Sequence, residues 1–135
     1  MKAHIQYAKF AAASAAELLR SKYLSDAGVT LNIGKDLKTH ADVAAQEIIV
    51  HHLEPYGIPI LAEEGFSKSD VRIDSDQPFW VVDPLDGTLN FTRGFAMAAV
   101  SIALWEKGQP VLGVIQDVHN GHVYSGVVGQ GAWQD

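Results

Sequence analysis

Two pairs of carboxylates in this chain each follow an apolar run that has the composition of a β-strand. Asp83 and Asp86 follow one run, and Glu63 and Glu64 follow another about twenty residues earlier. If both strands end at the same edge of a sheet, three or four carboxylates come within a few ångströms, and each unneutralised pair repels by roughly 1–4 kcal/mol. Divalent cations relieve such repulsion, and Mg²⁺ takes oxygen ligands of this kind. The two pairs therefore predict a magnesium site.

Gly87 and Thr88 come directly after this second pair and suit the binding of an anion. A glycine lets backbone N–H groups approach closely, and a turn or helix that begins at Thr88 leaves N–H groups free for phosphate oxygens. Two simpler interpretations stay open. Asp-Pro and Asp-Gly dipeptides are ordinary turn formers, and Thr88 is also a suitable N-cap residue.

Thr39 and Asp42 fit the spacing of a capping box before an apolar periodic run, which predicts a helix that begins at Thr39. The functional alternative is that Asp42 accepts a proton, directly or through a hydroxyl, from a water molecule that attacks phosphorus. The sequence leaves both interpretations open.

Composition excludes several classes of protein. Cysteine is absent from the 135 residues, so disulfides, thiolate metal sites and cysteine-nucleophile phosphatases are excluded. The net charge of −6 and the lack of a basic cluster argue against a nucleic-acid partner. No apolar run reaches the roughly 18 residues of a membrane span, so we expect no membrane association. With cysteine absent and no apolar secretory signal at the N-terminus, a cytoplasmic location is the default expectation. The 47% apolar content can fill the core of one domain covering 1–135.

Apolar periodicity predicts two helices followed by strands. The helices cover residues 3–22 and 39–53, and the strands cover 58–63, 79–83, 98–105, 111–118 and 122–128, with one more from Gly131. Asn120 and Gly121 predict a two-residue hairpin turn, with His119 and His122 exposed beside it. The order of elements predicts an α+β fold in which two helices pack on a largely antiparallel sheet.

The motifs together resemble those of the inositol monophosphatase family, the lithium-sensitive, magnesium-dependent phosphatases. Residues 83–91 are similar to the central signature of that family, 61–65 to its upstream acidic pair, and 36–42 to its loop and helix-start motif. The resemblance covers nearly the whole chain. It implies the N-terminal half of the layered αβαβα sugar-phosphatase fold, and Mg²⁺-dependent hydrolysis of a phosphate monoester of a small polyol.

The resemblance also implies a set of metal ligands. Glu63, Asp83 and the backbone carbonyl of Leu85 would bind a first Mg²⁺. Asp83 and Asp86 would bind a second. Glu63, with Glu64 nearby, would help to hold a weaker third ion and its water, which gives Glu63 a part in catalysis.

The remaining roles concern water and phosphate. Thr88 together with Asp42 would activate the attacking water, and Thr39 would support them. The backbone amides of Gly87 and Thr88 would bind the phosphate.

One departure from the family is large, because its members are roughly twice as long as this chain. The half without a counterpart carries a Trp-Asp motif whose aspartate completes the second metal site, and most residues that recognise the alcohol. We therefore expect the 135-residue chain alone to turn over phosphate esters poorly. We also expect it to form homo-oligomers through an apolar sheet face and edge. A non-catalytic or regulatory relative is the alternative.

Other phosphatases offer rival interpretations. Haloacid-dehalogenase-type phosphatases use a strand followed by Asp-x-Asp-x-Thr, but here Asp83 and Asp86 are one residue further apart. Within the lithium-inhibited group, nucleotide 3′-phosphatases and fructose-1,6-bisphosphatases remain alternatives on the sequence alone.

Overall fold

The described part of the chain forms two long helices followed by a sheet, with one short helix inserted after the second strand. The computed structural model describes residues 1–24, 34–62, 74 and 76–135. The helices are α1 (Lys2–Leu19), α2 (Gly34–Leu53) and α3 (Thr88–Thr92), with a π-helical turn at Arg20–Leu24 and a 3₁₀ turn at Glu54–Tyr56. The strands are β1 (Ile60–Ala62), β2 (Phe79–Asp86), β3 (Ala99–Glu106), β4 (Gln109–Asp117), β5 (Val123–Val127) and β6 (Gly131–Gln134). Among the described helices, none combines the length and apolar character needed to cross a bilayer.

Helix α1 confirms the helix predicted over residues 3–22, except in its last turn. Its buried face repeats at helical spacing and is built almost entirely from small side chains: Ile5, Ala8, Ala11, Ala12, Ala15, Ala16 and Leu19. Small side chains allow α1 to pack closely on α2 and on the sheet. From Arg20 the backbone is π-helical, and the Arg20 guanidinium donates a hydrogen bond to the carbonyl oxygen of Val118 at 3.0 Å. The end of α1 is thereby tied to the loop after β4.

Helix α2 begins at Gly34, five residues before the start predicted from the capping pattern. Thr39 therefore lies inside the helix, and its prediction as an N-cap residue is wrong. A capping pattern expresses only a local preference, and Lys35, Leu37 and Lys38 are adequate helix formers that let the helix start earlier. Asp42 is consequently an interior helical residue, and it is 1% exposed.

The sheet runs in the order β1-β2-β3-β4-β5-β6, which confirms the predicted α+β arrangement. Strands β1 and β2 are parallel, and the four other pairings are antiparallel. Side chains alternate between buried and more exposed along β3 and β4. The buried set contacts the helices, since α1 packs on β3, β4 and β5 while α2 packs on β1 and β2. The opposite face carries a row of small residues in register across four strands: Ala103, Gly113, Gly126 and Ala132.

The connections from β3 to β4 and from β4 to β5 differ in length. Lys107 and Gly108 join β3 to β4 with φ values of 53° and 75°, as a two-residue turn of the primed type requires. The predicted two-residue turn at Asn120 and Gly121 is wrong, because the connection spans residues 118–122. The Asp117 carboxylate accepts hydrogen bonds from the backbone N–H groups of His119 and Asn120, which stabilises a longer loop.

The prediction that His119 lies exposed at a hairpin end is also wrong. Its ring is half-buried and lies edge-on to Phe91, with 6.4 Å between the ring centroids. The longer loop turns this side chain inward toward α3, whereas His122 is exposed as predicted.

Candidate active site at the end of strand β2

The parallel pairing of β1 and β2 brings the two acidic stretches of the sequence to neighbouring strands. Ala62, the last residue of β1, pairs with Val82, which immediately precedes Asp83. Glu63, predicted as a metal ligand, and Glu64, predicted to lie close to it, are outside the described residues. Within the described ranges, no three histidine or acidic side chains cluster closely enough to hold a metal ion by themselves.

A β-bulge separates the two predicted aspartate ligands. Asp83 pairs with Ser101 and Asp86 pairs with Ala99, so Pro84 and Leu85 together stand opposite one residue of β3. A proline has no backbone N–H to donate to a neighbouring strand, which explains why the ladder is interrupted here. Bulges re-aim side chains and are common beside active sites. Asp83 is half-buried, whereas Asp86 is exposed.

Hydrogen bonds join three of the predicted site residues directly. The Asp83 carboxylate accepts a hydrogen bond from the backbone N–H of Leu85 at 3.2 Å. The Thr88 hydroxyl donates to the carbonyl oxygen of Leu85 at 2.8 Å. A carbonyl oxygen has two lone pairs, so the hydrogen bond from Thr88 does not by itself prevent Leu85 from contacting a cation. These two bonds place an aspartate, a carbonyl and a hydroxyl around one short stretch of backbone.

Gly87 occupies a position that only glycine fits. Its φ of 78° and ψ of 34° lie in the left-handed region, and an added Cβ would stand 2.5 Å from the carbonyl oxygen of Met97. Gly87 is also the N-cap residue of α3, and its carbonyl accepts the N–H of Phe91 at 2.9 Å. The helix predicted to begin at Thr88 is therefore present. Thr88 is the first helical residue and not the N-cap, and its hydroxyl donates to the carbonyl oxygen of Leu85.

Asp42 lies on α2, near the signature only through the packing of its helix. This helix packs against β2 and α3, the two elements that carry the signature, and Asp42 is buried on it. Thr39 lies one turn before Asp42 in the helix backbone, and its side chain lies outside the described residues. The fold therefore places Asp42 on an element that packs directly against the Thr88 helix.

The donors present in the described residues fit Mg²⁺. Asp83, Asp86 and the Leu85 carbonyl are hard oxygen donors spread over a bulge, with no nitrogen or sulfur competitor among them. This chemistry agrees with the cation that the sequence predicts.

Sequence reasoning missed the part that Met97 and Asn90 play here. The Met97 carbonyl faces Gly87, and the Asn90 side-chain amide donates to that same carbonyl at 3.2 Å. No local signal could have identified this contact, because it depends on how the chain returns after α3.

Comparison with known proteins identifies the family of this chain. A sequence model of the inositol monophosphatase family matches residues 1–135. This chain belongs to the inositol monophosphatase family. It is 33% identical to inositol monophosphatase 2 of Solanum lycopersicum over 98% of this chain and 51% of that protein. It is 47% identical to inositol-1-monophosphatase SuhB of Mycobacterium tuberculosis over 56% of this chain and 27% of that protein.

Solved structures of the inositol monophosphatase family share the fold. CysQ from Bacteroides thetaiotaomicron, described as a bacterial member of the family, superposes with a TM-score of 0.83 at 33% identity, covering all of this chain and 49% of that one. The suhB protein of Bartonella henselae gives a TM-score of 0.77 at 31% identity, covering all of this chain and 51% of that one. The chain thus spans about half the length of the relatives it matches. The family is one of phosphoric monoester hydrolases. Because the family match covers residues 1–135, the haloacid-dehalogenase interpretation is set aside.

Proposed function

We propose that this chain supplies the metal-binding and phosphate-binding part of a Mg²⁺-dependent phosphatase that hydrolyses phosphate monoesters of small polyols, of the inositol monophosphate type. The observation that carries the proposal is the hydrogen-bonded group of Asp83, Leu85 and Thr88 on the bulge of β2, with Gly87 directly beside it. Oxygen donors and an anion-accepting turn are adjacent there, as hydrolysis of a phosphate ester requires.

The proposed metal sites use the ligands that the sequence predicts. Glu63, Asp83 and the Leu85 carbonyl would hold one Mg²⁺, and Asp83 and Asp86 would hold another, with Glu64 close by. The pairing of Ala62 with Val82 supports this arrangement, because it brings the end of β1 beside Asp83. When bound, Mg²⁺ lowers the pKa of water and neutralises charge on the phosphate.

The chain's own residues would orient and deprotonate the attacking water. The Thr88 hydroxyl donates to Leu85, so its oxygen lone pairs are free to accept a hydrogen bond from water. Proton transfer on to Asp42 requires the hydroxyl to turn away from Leu85, and Thr39 would support this pair. The backbone N–H groups of Gly87 and Thr88 would hold the phosphate and set its orientation.

A metal-binding experiment tests the proposal. Titration of the purified chain with Mg²⁺ by calorimetry should give saturable binding that weakens at least about tenfold in D83N. The matched control is E106Q, which removes a carboxylate at the far end of β3 and should bind as the wild type does. Absence of Mg²⁺ binding in the wild type, or equal binding in D83N and wild type, would refute the proposed site.

The rate of inositol 1-phosphate hydrolysis should increase with Mg²⁺ concentration and decrease when lithium is added. We expect the 135-residue polypeptide to be much slower than a full-length relative, because it spans about half of that length. Rates equal to those of such a relative would contradict this expectation. If the chain binds Mg²⁺ but hydrolyses nothing, the regulatory alternative gains support.

A second substrate class has a specific observation in its favour. One matched structure, with a TM-score of 0.78 and 31% identity, is a SaIMPase-II with 2′AMP bound. Nucleotide monophosphates, including 3′-phosphates, should therefore be assayed beside inositol 1-phosphate. A higher kcat/KM for the nucleotide would favour that substrate class.

We propose further that the chain self-associates through the sheet face opposite α1 and α2. The row of small residues across β3–β6 forms the floor of an apolar groove of about 730 Å³. Ile115, Tyr124 and Val128 line it and are each more than 40% exposed. An apolar surface of this extent on a sheet with an open edge favours association.

A further inference from the structure

The segment of residues 93–97 after α3 is exposed throughout, and hydrogen bonds to Asn90 hold its backbone at Phe95 and at Met97. The N–H of Phe95 donates to the Asn90 carbonyl oxygen at 2.9 Å. The side-chain amide of Asn90 donates to the Met97 carbonyl oxygen at 3.2 Å. Within the segment, the N–H of Met97 donates to the carbonyl oxygen of Phe95 at 2.8 Å. Asn90 therefore holds both ends of the turn at 95–97.

The Met97 carbonyl oxygen that accepts the Asn90 hydrogen bond is also the atom that a side chain at position 87 would meet first. An ideal Cβ on Gly87 would stand 2.5 Å from it and 3.4 Å from the Cα of Ala98. Ala98 is anchored on its other side, where its carbonyl accepts the N–H of Val118 at 3.0 Å. The returning chain thus lies directly against Gly87, and Asn90 supplies the side-chain hydrogen bond to the carbonyl at the point of contact.

We propose that Asn90 is a positioning residue for the phosphate turn. By fixing the Met97 carbonyl against Gly87, it limits the rotation of the peptide groups at Gly87 and Thr88. Glycine samples a wide range of φ and ψ, so a turn built on Gly87 needs an external restraint to keep its N–H groups aimed in one direction. That the turn binds phosphate rests on the proposed function, whereas the restraint that Asn90 places on the turn does not.

The experiment compares N90A and N90S with T92A. Both Asn90 variants remove the amide that reaches Met97. Thr92 lies in the same helix and its hydroxyl donates to the Leu89 carbonyl at 3.0 Å, so T92A removes a side-chain hydrogen bond that does not reach Met97. The first measurement is the ¹H–¹⁵N resonances of Gly87 and Thr88 in the absence of phosphate. The second is the dissociation constant of inorganic phosphate at saturating Mg²⁺.

We expect the Gly87 and Thr88 resonances to move in N90A and N90S while they stay in place in T92A. Phosphate should bind about fivefold more weakly to N90A than to the wild type, as loss of one hydrogen bond implies. A general loss of stability would lower the melting temperature without these two effects, so they separate positioning from stability.

The inference is overturned if folded N90A or N90S keeps the wild-type resonances at Gly87 and Thr88, or if T92A moves them as much. It is also overturned if the resonances move while phosphate affinity is unchanged. If the wild type binds no phosphate, the proposed function fails, and the resonances alone then decide whether Asn90 restrains the turn. N90S allows the test to proceed if N90A does not fold.

Discussion

Replacing Gly87 by alanine should destabilise the protein by about 2–5 kcal/mol. The left-handed conformation at φ 78° costs an alanine roughly 1–2 kcal/mol. The added Cβ would also stand 2.5 Å from the Met97 carbonyl oxygen, whereas ordinary contact begins at 3.4 Å, so the backbone must move by about 0.9 Å. Overpacking of this kind typically costs a further 1–3 kcal/mol or so. Because the three nearest atoms all belong to the backbone of Met97 and Ala98, none can relieve the contact by a change of rotamer.

Gly108 provides the matched control. It has φ 75°, and nothing lies within 4 Å of its added Cβ. G108A therefore carries the conformational cost without the contact, and the loss of unfolded-state entropy is about the same in both variants. Urea denaturation followed by tryptophan fluorescence should show G87A less stable than G108A by about 1–3 kcal/mol. If the two variants agree within about 0.5 kcal/mol, the contact between Gly87 and the returning chain is not what makes glycine necessary.

Two further predictions concern the surface. Light scattering should show that the average mass of the wild type increases with protein concentration. The variant Y124K places a charge on the exposed sheet face and should lower the average mass toward that of the monomer. A wild type that is monomeric at every concentration would contradict self-association. Burial, and then the charge of neighbouring His51, lower the pKa of His52 below its ordinary value of 6.5, so the unfolded state binds the proton more readily. Stability should fall as the pH drops through 6.5, and thermal melts of H52Q from pH 8 to pH 5 should show a shallower fall than the wild type; equal slopes would count against this origin.

The elements that the sequence predicted well are those whose apolar pattern is long and regular. The alanine face of α1 repeats over four turns, and the predicted bounds of β3, β4 and β5 lie within two residues of the observed ones. Such patterns are reliable because every apolar side chain that is buried in the common core stabilises the same fold.

The incorrect predictions share a physical cause, namely competition from a side chain or a neighbouring element. Asn120 and Gly121 favour a two-residue turn, but Asp117 accepts two backbone N–H groups and stabilises a longer loop. Thr39 favours a helix start, but the residues before it continue the helix back to Gly34. In both cases a correct local preference was outweighed by an alternative of similar energy.

The sequence could predict which residues belong to the candidate site, but not how those residues are arranged. Asp83, Asp86, Gly87 and Thr88 were identified by type and spacing. The hydrogen bonds from Leu85 to Asp83 and from Thr88 to Leu85 follow from the bulge, which no periodicity shows. The roles of Glu63, Glu64 and the Thr39 side chain stay predictions, since these groups lie outside the described residues.

Pro84 links the sequence of the signature to its chemistry. In a regular strand, the backbone N–H and C=O groups of the residues after Asp83 would form hydrogen bonds with β3. Pro84 cannot donate, and the register shift leaves Pro84 and Leu85 opposite one residue of β3. The N–H of Leu85 then donates to the Asp83 carboxylate, and the carbonyl oxygen of Leu85 accepts a hydrogen bond from the Thr88 hydroxyl. A proline between the two aspartates thus converts a strand end into a cluster of oxygen donors. The same interruption lets the chain leave the sheet at Gly87, where the left-handed glycine begins α3 and presents its backbone to the proposed phosphate.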